Sequence, residues 1–214
     1  MRIPARFNGP PATGNGGWSA GAFAFAAGAR AGGPAVEVTL RVPPPLETEL
    51  LVAAGAVRAG DTLIAQLAAV DGELAPVEEV DPATAGEYPG FAVHPFPTCY
   101  VCGPERPDGL RIFPGPVPAG GMAARWVVPD DVDLPTVWAA LDCPGGWTAL
   151  HEGRTFVLGR IAARVDELPE PGASCVVVAR PTASSGRKAM VDTSVYAPGG
   201  RLIGTARATW IAVS

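Results

Sequence analysis

From Trp18 to Ala29 the chain carries no charged side chain. The run WSAGAFAFAAGA is small and aromatic throughout, and Arg30, Gly32 and Gly33 close it. This predicts a helix over 18–30. A helix that is apolar on every side must be covered on every side, which excludes an ordinary amphipathic surface helix. Gly21 and Gly28 each weaken it by roughly 1 kcal/mol relative to alanine, and they are tolerable where another backbone comes close. A curved sheet wrapped around the helix satisfies this constraint.

The flanking sequence supplies strands for such a sheet. Val36, Val38, Leu40 and Val42 alternate with Glu37, Thr39 and Arg41, the pattern of a half-buried strand. Further strands are expected at 48–57 and 62–70, joined by the turn Arg58-Ala59-Gly60-Asp61. A Pro-, Gly- and Glu-rich stretch follows, from about Asp71 to Pro107, and reads as an ordered linker on the surface.

The second half repeats the plan. Short strands are expected at 109–113 and 122–128. Asp131, Asp133 and Pro135 then mark a helix start, with an acid near the N-cap and proline in the first turn. The helix covers about 136–150, although Pro144 is expected to kink or end it, since proline cannot donate to the Ala140 carbonyl. Strands are expected at 155–165, 173–181, 188–196 and 201–213, with a hairpin turn at Ala197-Pro198-Gly199-Gly200.

Helix then antiparallel strands, twice over, resembles the hotdog fold: α+β, a double hotdog with two central helices, each wrapped by an antiparallel sheet. The halves are 1–80 and 109–214, with a connector at 81–108. The segment CYVCGPERPDGLRIF, from Cys99 to Phe113, is similar to the CxxCGPxxPxGLxxxF leader of many hotdog thioesterase domains. The resemblance is to double-hotdog acyl-CoA thioesterases of the phenylacetate and His-Gly-Gly type.

That resemblance implies a site. Asn15-Gly16-Gly17 stands where many hotdog thioesterases have His-Gly-Gly, at the start of the central helix. Free N–H groups and the dipole there favour charge building on a thioester carbonyl. Asp142 is the one carboxylate within an otherwise uncharged second helix. It matches the family acid that attacks the thioester or activates water. Nine residues before Asp142 comes Asp133, followed by Leu134-Pro135 rather than Gly-Gly, whereas nine residues after Asn15 comes Ala24. Each helix thus retains half of the machinery, and one composite site per chain is implied: Asn15, Gly16 and Gly17 from the first half, Asp142 from the second. Trp18, Trp138 and Trp147 are expected as core or acyl-pocket wall. Arg187 and Lys188, after Ser184-Ser185-Gly186, suit a coenzyme A phosphate.

The expected activity is hydrolysis of an acyl thioester of coenzyme A or a carrier protein. The alternative is a non-catalytic protein that binds acyl-CoA or another apolar ligand. No cofactor and no metal is required. Cys99-x-x-Cys102 has metal-ligand spacing, and His94 could supply a third ligand, but a structural zinc takes four and no second pair follows. Two packed thiols closing a loop are therefore expected. The only histidines are His94 and His151, and neither has the Ser-His-Asp order of a serine hydrolase.

A net charge of −5 without a Lys/Arg cluster argues against nucleic acid. No apolar run is long enough for a membrane span. The opening MRIPARFNGPPATG has no apolar stretch behind its charges, so no secretory leader is expected, and free thiols in the cytoplasm are. Pairing of two chains into a homodimer is compatible with hotdog units, which often associate.

Overall fold

The computed structural model describes residues 1–150 and 154–213. Two helices and ten strands follow one another along these residues. They are α1 (Gly16–Ala26), β1 (Val36–Leu40), β2 (Leu51–Ala53), β3 (Ala56–Ala59), β4 (Thr62–Ala69), β5 (Gly115–Pro116), β6 (Met122–Val127), α2 (Leu134–Ala149), β7 (Phe156–Val165), β8 (Ser174–Ser185), β9 (Lys188–Ala197) and β10 (Arg201–Ala212). All strands join one antiparallel sheet in the order β2-β3-β4-β1-β7-β10-β9-β8-β6-β5. The halves meet inside that sheet, where β1 pairs with β7 and Val38 stands opposite Ile161.

The helices pack against each other, with α1 against β1 and β7 and α2 against β6 to β10. Two glycines of α1 permit the crossing. A Cβ on Gly17 would lie 2.3 Å from the Asp142 Cβ, and one on Gly21 would lie 2.7 Å from the Trp138 Cβ and 2.8 Å from the Pro135 Cα. The expectation for Gly21 therefore holds. Gly28 is a different case. The helix ends at Ala26, and Gly28 has φ +104° with nothing within 4 Å of where a Cβ would stand, so it serves as a left-handed cap. The end of α1 is also less covered than an all-apolar helix requires, with Phe25 47% exposed.

Three further expectations change. The 48–57 run divides into β2 and β3, because Ala54 and Gly55 adopt φ of 48° and 72° and form a two-residue hairpin turn. The 109–113 run is not a strand: Leu110 N–H donates to the Tyr100 carbonyl and Ile112 N–H to the Val101 carbonyl, with Arg111 at φ +52°. Its alternation buries Leu110 and Ile112 against the Cys99–Cys102 segment instead. Pro144 does not end α2, which continues to Ala149. Every residue of α2 is buried, so packing on all sides offsets the one lost helical hydrogen bond.

The connector is only partly a surface linker. Leu74, Val77, Tyr88, Cys99, Tyr100, Val101 and Cys102 are buried. Tyr88 donates to the Cys102 carbonyl at 2.9 Å, and its ring meets Trp147 edge-on at 4.7 Å. The connector therefore folds over the C-terminal part of α2. Among the described residues, no helix is long and apolar enough to cross a membrane. His151 lies outside the described residues.

Candidate functional site

The segment before α1 is tied down on both sides. Asn15 N–H donates to the Phe7 carbonyl at 2.7 Å, and Gly14 N–H to the Pro44 carbonyl at 2.8 Å. This aims the start of α1 at the middle of α2. Asn15 caps the helix, its Oδ1 accepting from Trp18 N–H at 2.8 Å. Both following glycines are sterically required: a Cβ on Gly16 would come within 2.8 Å of the Leu158 Cβ, and Gly17 faces Asp142.

Asp142 is 1% exposed. Its Oδ2 accepts from Gly17 N–H at 2.9 Å and from Asn15 Nδ2 at 3.4 Å. Its Oδ1 is buried with no hydrogen-bond partner among the described residues. Burial pushes the carboxyl up to about 7, against the lowering effect of the Gly17 amide and of Asn15. The four residues expected to share one site, Asn15, Gly16, Gly17 and Asp142, are thus brought together by the crossing of the two helices.

Asn15, Gly16 and Asp142 border an apolar cavity of about 370 Å³, while Gly17 stands behind its wall, against Asp142. Asn15 and Gly16 come from the α1 start, Asp142, Cys143, Gly146 and Trp147 from α2, and Phe156, Leu158 and Gly159 from β7. β10 adds Trp210 and Ile211, and the connector adds His94, Phe96, Cys99 and Cys102. A bulge shapes the sheet wall. The β7–β10 register slips between Thr209 and Trp210, so Gly159 has no opposite residue, and Trp210 packs against Gly146, where a Cβ would come within 2.7 Å of the indole.

The expected pocket residues divide. Trp18 stacks on Phe7 at 3.8 Å, and Trp138 is 2% exposed against Gly21, so neither lines the cavity. Of the three tryptophans expected as core or pocket wall, Trp147 lines it, joined by Trp210. Arg187 and Lys188 are exposed at the β8–β9 turn, outside the cavity lining. Their turn lies near its edge, because Ala212 N–H donates to the Arg187 carbonyl and both Ile211 and Val213 are lining residues.

The connector's contribution was not legible residue by residue. His94, held by Phe96 N–H donating to its Nδ1 at 2.9 Å, meets Trp147 edge-on at 5.1 Å, and burial lowers its pKa. Along the chain Cys99 and Cys102 form a pair, but folding adds Cys143, whose sulfur lies 3.8 Å from that of Cys99. Hydrogen bonds from the Cys102 and Cys143 thiols hold Cys99 well below the usual thiol range, despite its burial. All four cysteines are free and buried. The available signal was the mix of Cys, Tyr, Phe and Val in a Pro-rich stretch, which a solvated linker does not need.

No family model and no curated protein sequence matches the chain. Solved structures do. A protein of Novosphingobium aromaticivorans DSM 12444, provisionally named a thioesterase, aligns over 100% of this chain and 94% of its own at TM-score 0.62 and 12% identity. The TesB protein of Mycobacterium avium subsp. paratuberculosis aligns over 100% and 91% at TM-score 0.61 and 14% identity. A conserved hot dog-fold protein of unknown function from Alicyclobacillus acidocaldarius aligns over 100% and 92% at TM-score 0.55 and 13% identity. At these identities the likeness shows the fold, which is a hotdog fold.

Proposed function

We propose that the chain is a double hotdog, with halves 1–80 and 109–214, that hydrolyses an acyl thioester of coenzyme A or a carrier protein at one composite site. The observation that carries this reading is the carboxylate of Asp142. It is buried at the wall of an apolar cavity, fixed through one oxygen by Gly17 and Asn15, with the other oxygen unpartnered among the described residues. A carboxylate in such a place costs stability, and a buried, perturbed acid at a cavity wall is a mark of a functional site.

In the mechanism, the acyl chain lies between Trp147, Trp210 and Phe156. Gly17 N–H positions Asp142, so the oxyanion donor is the N–H of Gly16, which opens α1 and has no acceptor within the helix. Asp142 takes a proton from the attacking water, or attacks the carbonyl itself to form a mixed anhydride that water then hydrolyses, releasing the acid and regenerating the carboxylate. The coenzyme A thiolate leaves and collects a proton. Arg187 and Lys188 meet the phosphates at the edge. The names of the two thioesterase relatives support this reading without extending to this chain.

A protein that binds acyl-CoA without turnover is the second reading. The observation favouring it is that the Gly17 N–H is already used by Asp142. Thiol release from a panel of acyl-CoAs, short-chain to aromatic, measured on wild type and Asp142→Asn, separates the two. Turnover lost in the variant is the expected result. No turnover from any thioester, with thermal stabilisation by an acyl-CoA, would replace hydrolysis with binding.

A further inference from the structure

The hydrolytic reading makes no use of the cysteines beside Asp142, and their arrangement has a chemistry of its own. The sulfurs of Cys99, Cys102 and Cys143 all lie within 4.8 Å of one another, and Cys99 and Cys143 are 3.8 Å apart. A tetrahedral zinc with Zn–S bonds of about 2.3 Å holds its sulfurs roughly 3.8 Å apart. A disulfide would need a sulfur separation of about 2.05 Å and would leave the third thiol over.

The backbone around the cluster is built for this grouping. Gly103 N–H donates to the Cys99 carbonyl at 2.9 Å, which turns the Cys-x-x-Cys segment so that both thiols face α2. Only glycine fits at the end of that turn, since a Cβ on Gly103 would come 2.5 Å from both the Cys99 nitrogen and the Pro97 oxygen. Donors are aimed at the sulfurs: Asn15 Nδ2 lies 3.6 Å from Cys143 Sγ and 3.8 Å from Cys99 Sγ. All three cysteines are at most 7% exposed. Three sulfurs at this spacing form a soft ligand set, which selects a thiophilic cation.

His94 stands nearby, its Nε2 3.5 Å from Cys102 Sγ. It is not a ligand as placed. Its Nδ1 accepts from Phe96 N–H, so Nε2 carries the proton and donates to the Cys102 carbonyl at 3.1 Å. The fourth coordination position is left to the cavity, which Cys99, Cys102, Cys143 and Asp142 all line.

We propose that Cys99, Cys102 and Cys143 bind one thiophilic divalent cation, zinc by its chemistry, through three thiolates with the fourth position facing the cavity. The ion ties the connector to α2. Thiol protons still present on the cluster leave to solvent as the sulfurs ligate.

The test is metal content of the full chain after stripping with a chelator, loading with zinc and desalting. About one zinc per chain is expected in wild type, in His94→Ala and in Cys175→Ser, whose cysteine lies apart on β8. Less than roughly a tenth of that is expected in Cys99→Ser, Cys102→Ser and Cys143→Ser. Cobalt loaded into wild type needs no variant to fold, and it should show intense sulfur-to-cobalt charge-transfer absorption and tetrahedral visible bands. Wild type without bound zinc, or cobalt without thiolate charge transfer, would overturn the site. Loss of zinc in Cys175→Ser equal to that in the three would also overturn it, and loss in His94→Ala would overturn the open fourth position. None of these readings depends on turnover, so failure here leaves the hydrolytic reading standing.

Discussion

The crossing of α1 and α2 has two ends, near-equivalents with opposite outcomes. At the start of α1, Asn15 caps, Gly16 and Gly17 follow, and Asp142 of α2 lies against Gly17. At the start of α2, Asp133 caps through Thr136 N–H, Leu134 and Pro135 follow, and Gly21 of α1 lies against Pro135 and Trp138. The first end leaves a cavity and the Gly16 amide beside a carboxylate. The second is closed by buried Leu134, Pro135 and Trp138, and offers Ala24 where the acid would stand. Pro135 has no N–H to give, so even a ligand that entered would meet one fewer donor. The packing problem is the same at both ends, and the difference lies in whether small residues and an acid are retained together.

Substitutions at matched positions test that contrast. Asp142→Asn is expected to lower thioester turnover by about 10²- to 10⁴-fold, the usual range for a general base, with the fold intact because an amide oxygen can still accept from Gly17. Stopped-time thiol release measures it, and turnover within a few-fold of wild type would break the contrast at its active end. At the closed end, Ala24→Asp copies the acid without the amides. Ala24 is 0% exposed, so a cost of about 3–5 kcal/mol by denaturant unfolding is expected, as for a buried charge without a partner. A neutral effect would mean that the second end is looser than its buried side chains indicate. The two caps form a further pair. Asn15→Ala and Asp133→Ala should each lose about 1 kcal/mol of stability, while only the first should reduce turnover, because Asn15 also donates to Asp142. Equal activity in the two variants would remove Asn15 from the site. The smallest effect is expected from Arg187→Ala with Lys188→Ala: a few-fold rise in KM for coenzyme A thioesters, absent for a short thioester lacking the phosphates, and shrinking at high salt.

The elements whose pattern reports burial directly were legible. The uncharged stretches gave α1 and α2, and the alternating runs with Gly-rich turns gave β7 to β10, because a side chain's face follows from chain period alone. The composite placement of Asn15, Gly16, Gly17 and Asp142 followed from the resemblance and from the complementary losses in the two helices. Other features depend on partners distant in sequence. The alternation of Leu110 and Ile112 reports burial but not against what, and here the partner is the Cys99–Cys102 turn rather than a strand. Ala54-Gly55 makes a turn that only its positive φ angles reveal. The grouping of Cys143 with Cys99 and Cys102 spans two elements 44 residues apart along the chain. Trp147 and Trp210, rather than Trp18 and Trp138, reach the cavity because of the β7 bulge and the glycines of α2, a consequence of register that no local pattern carries.

The central claim is that one end of the helix crossing is a site and the other is not. Calorimetric titration with a coenzyme A thioether, an acyl-CoA mimic that cannot be hydrolysed, counts the sites directly and does so whether or not the bound thioester turns over. One equivalent per chain, still bound by Asp142→Asn, is the predicted result. Two equivalents per chain, or binding unchanged when the cavity is filled by Gly146→Trp, would contradict it.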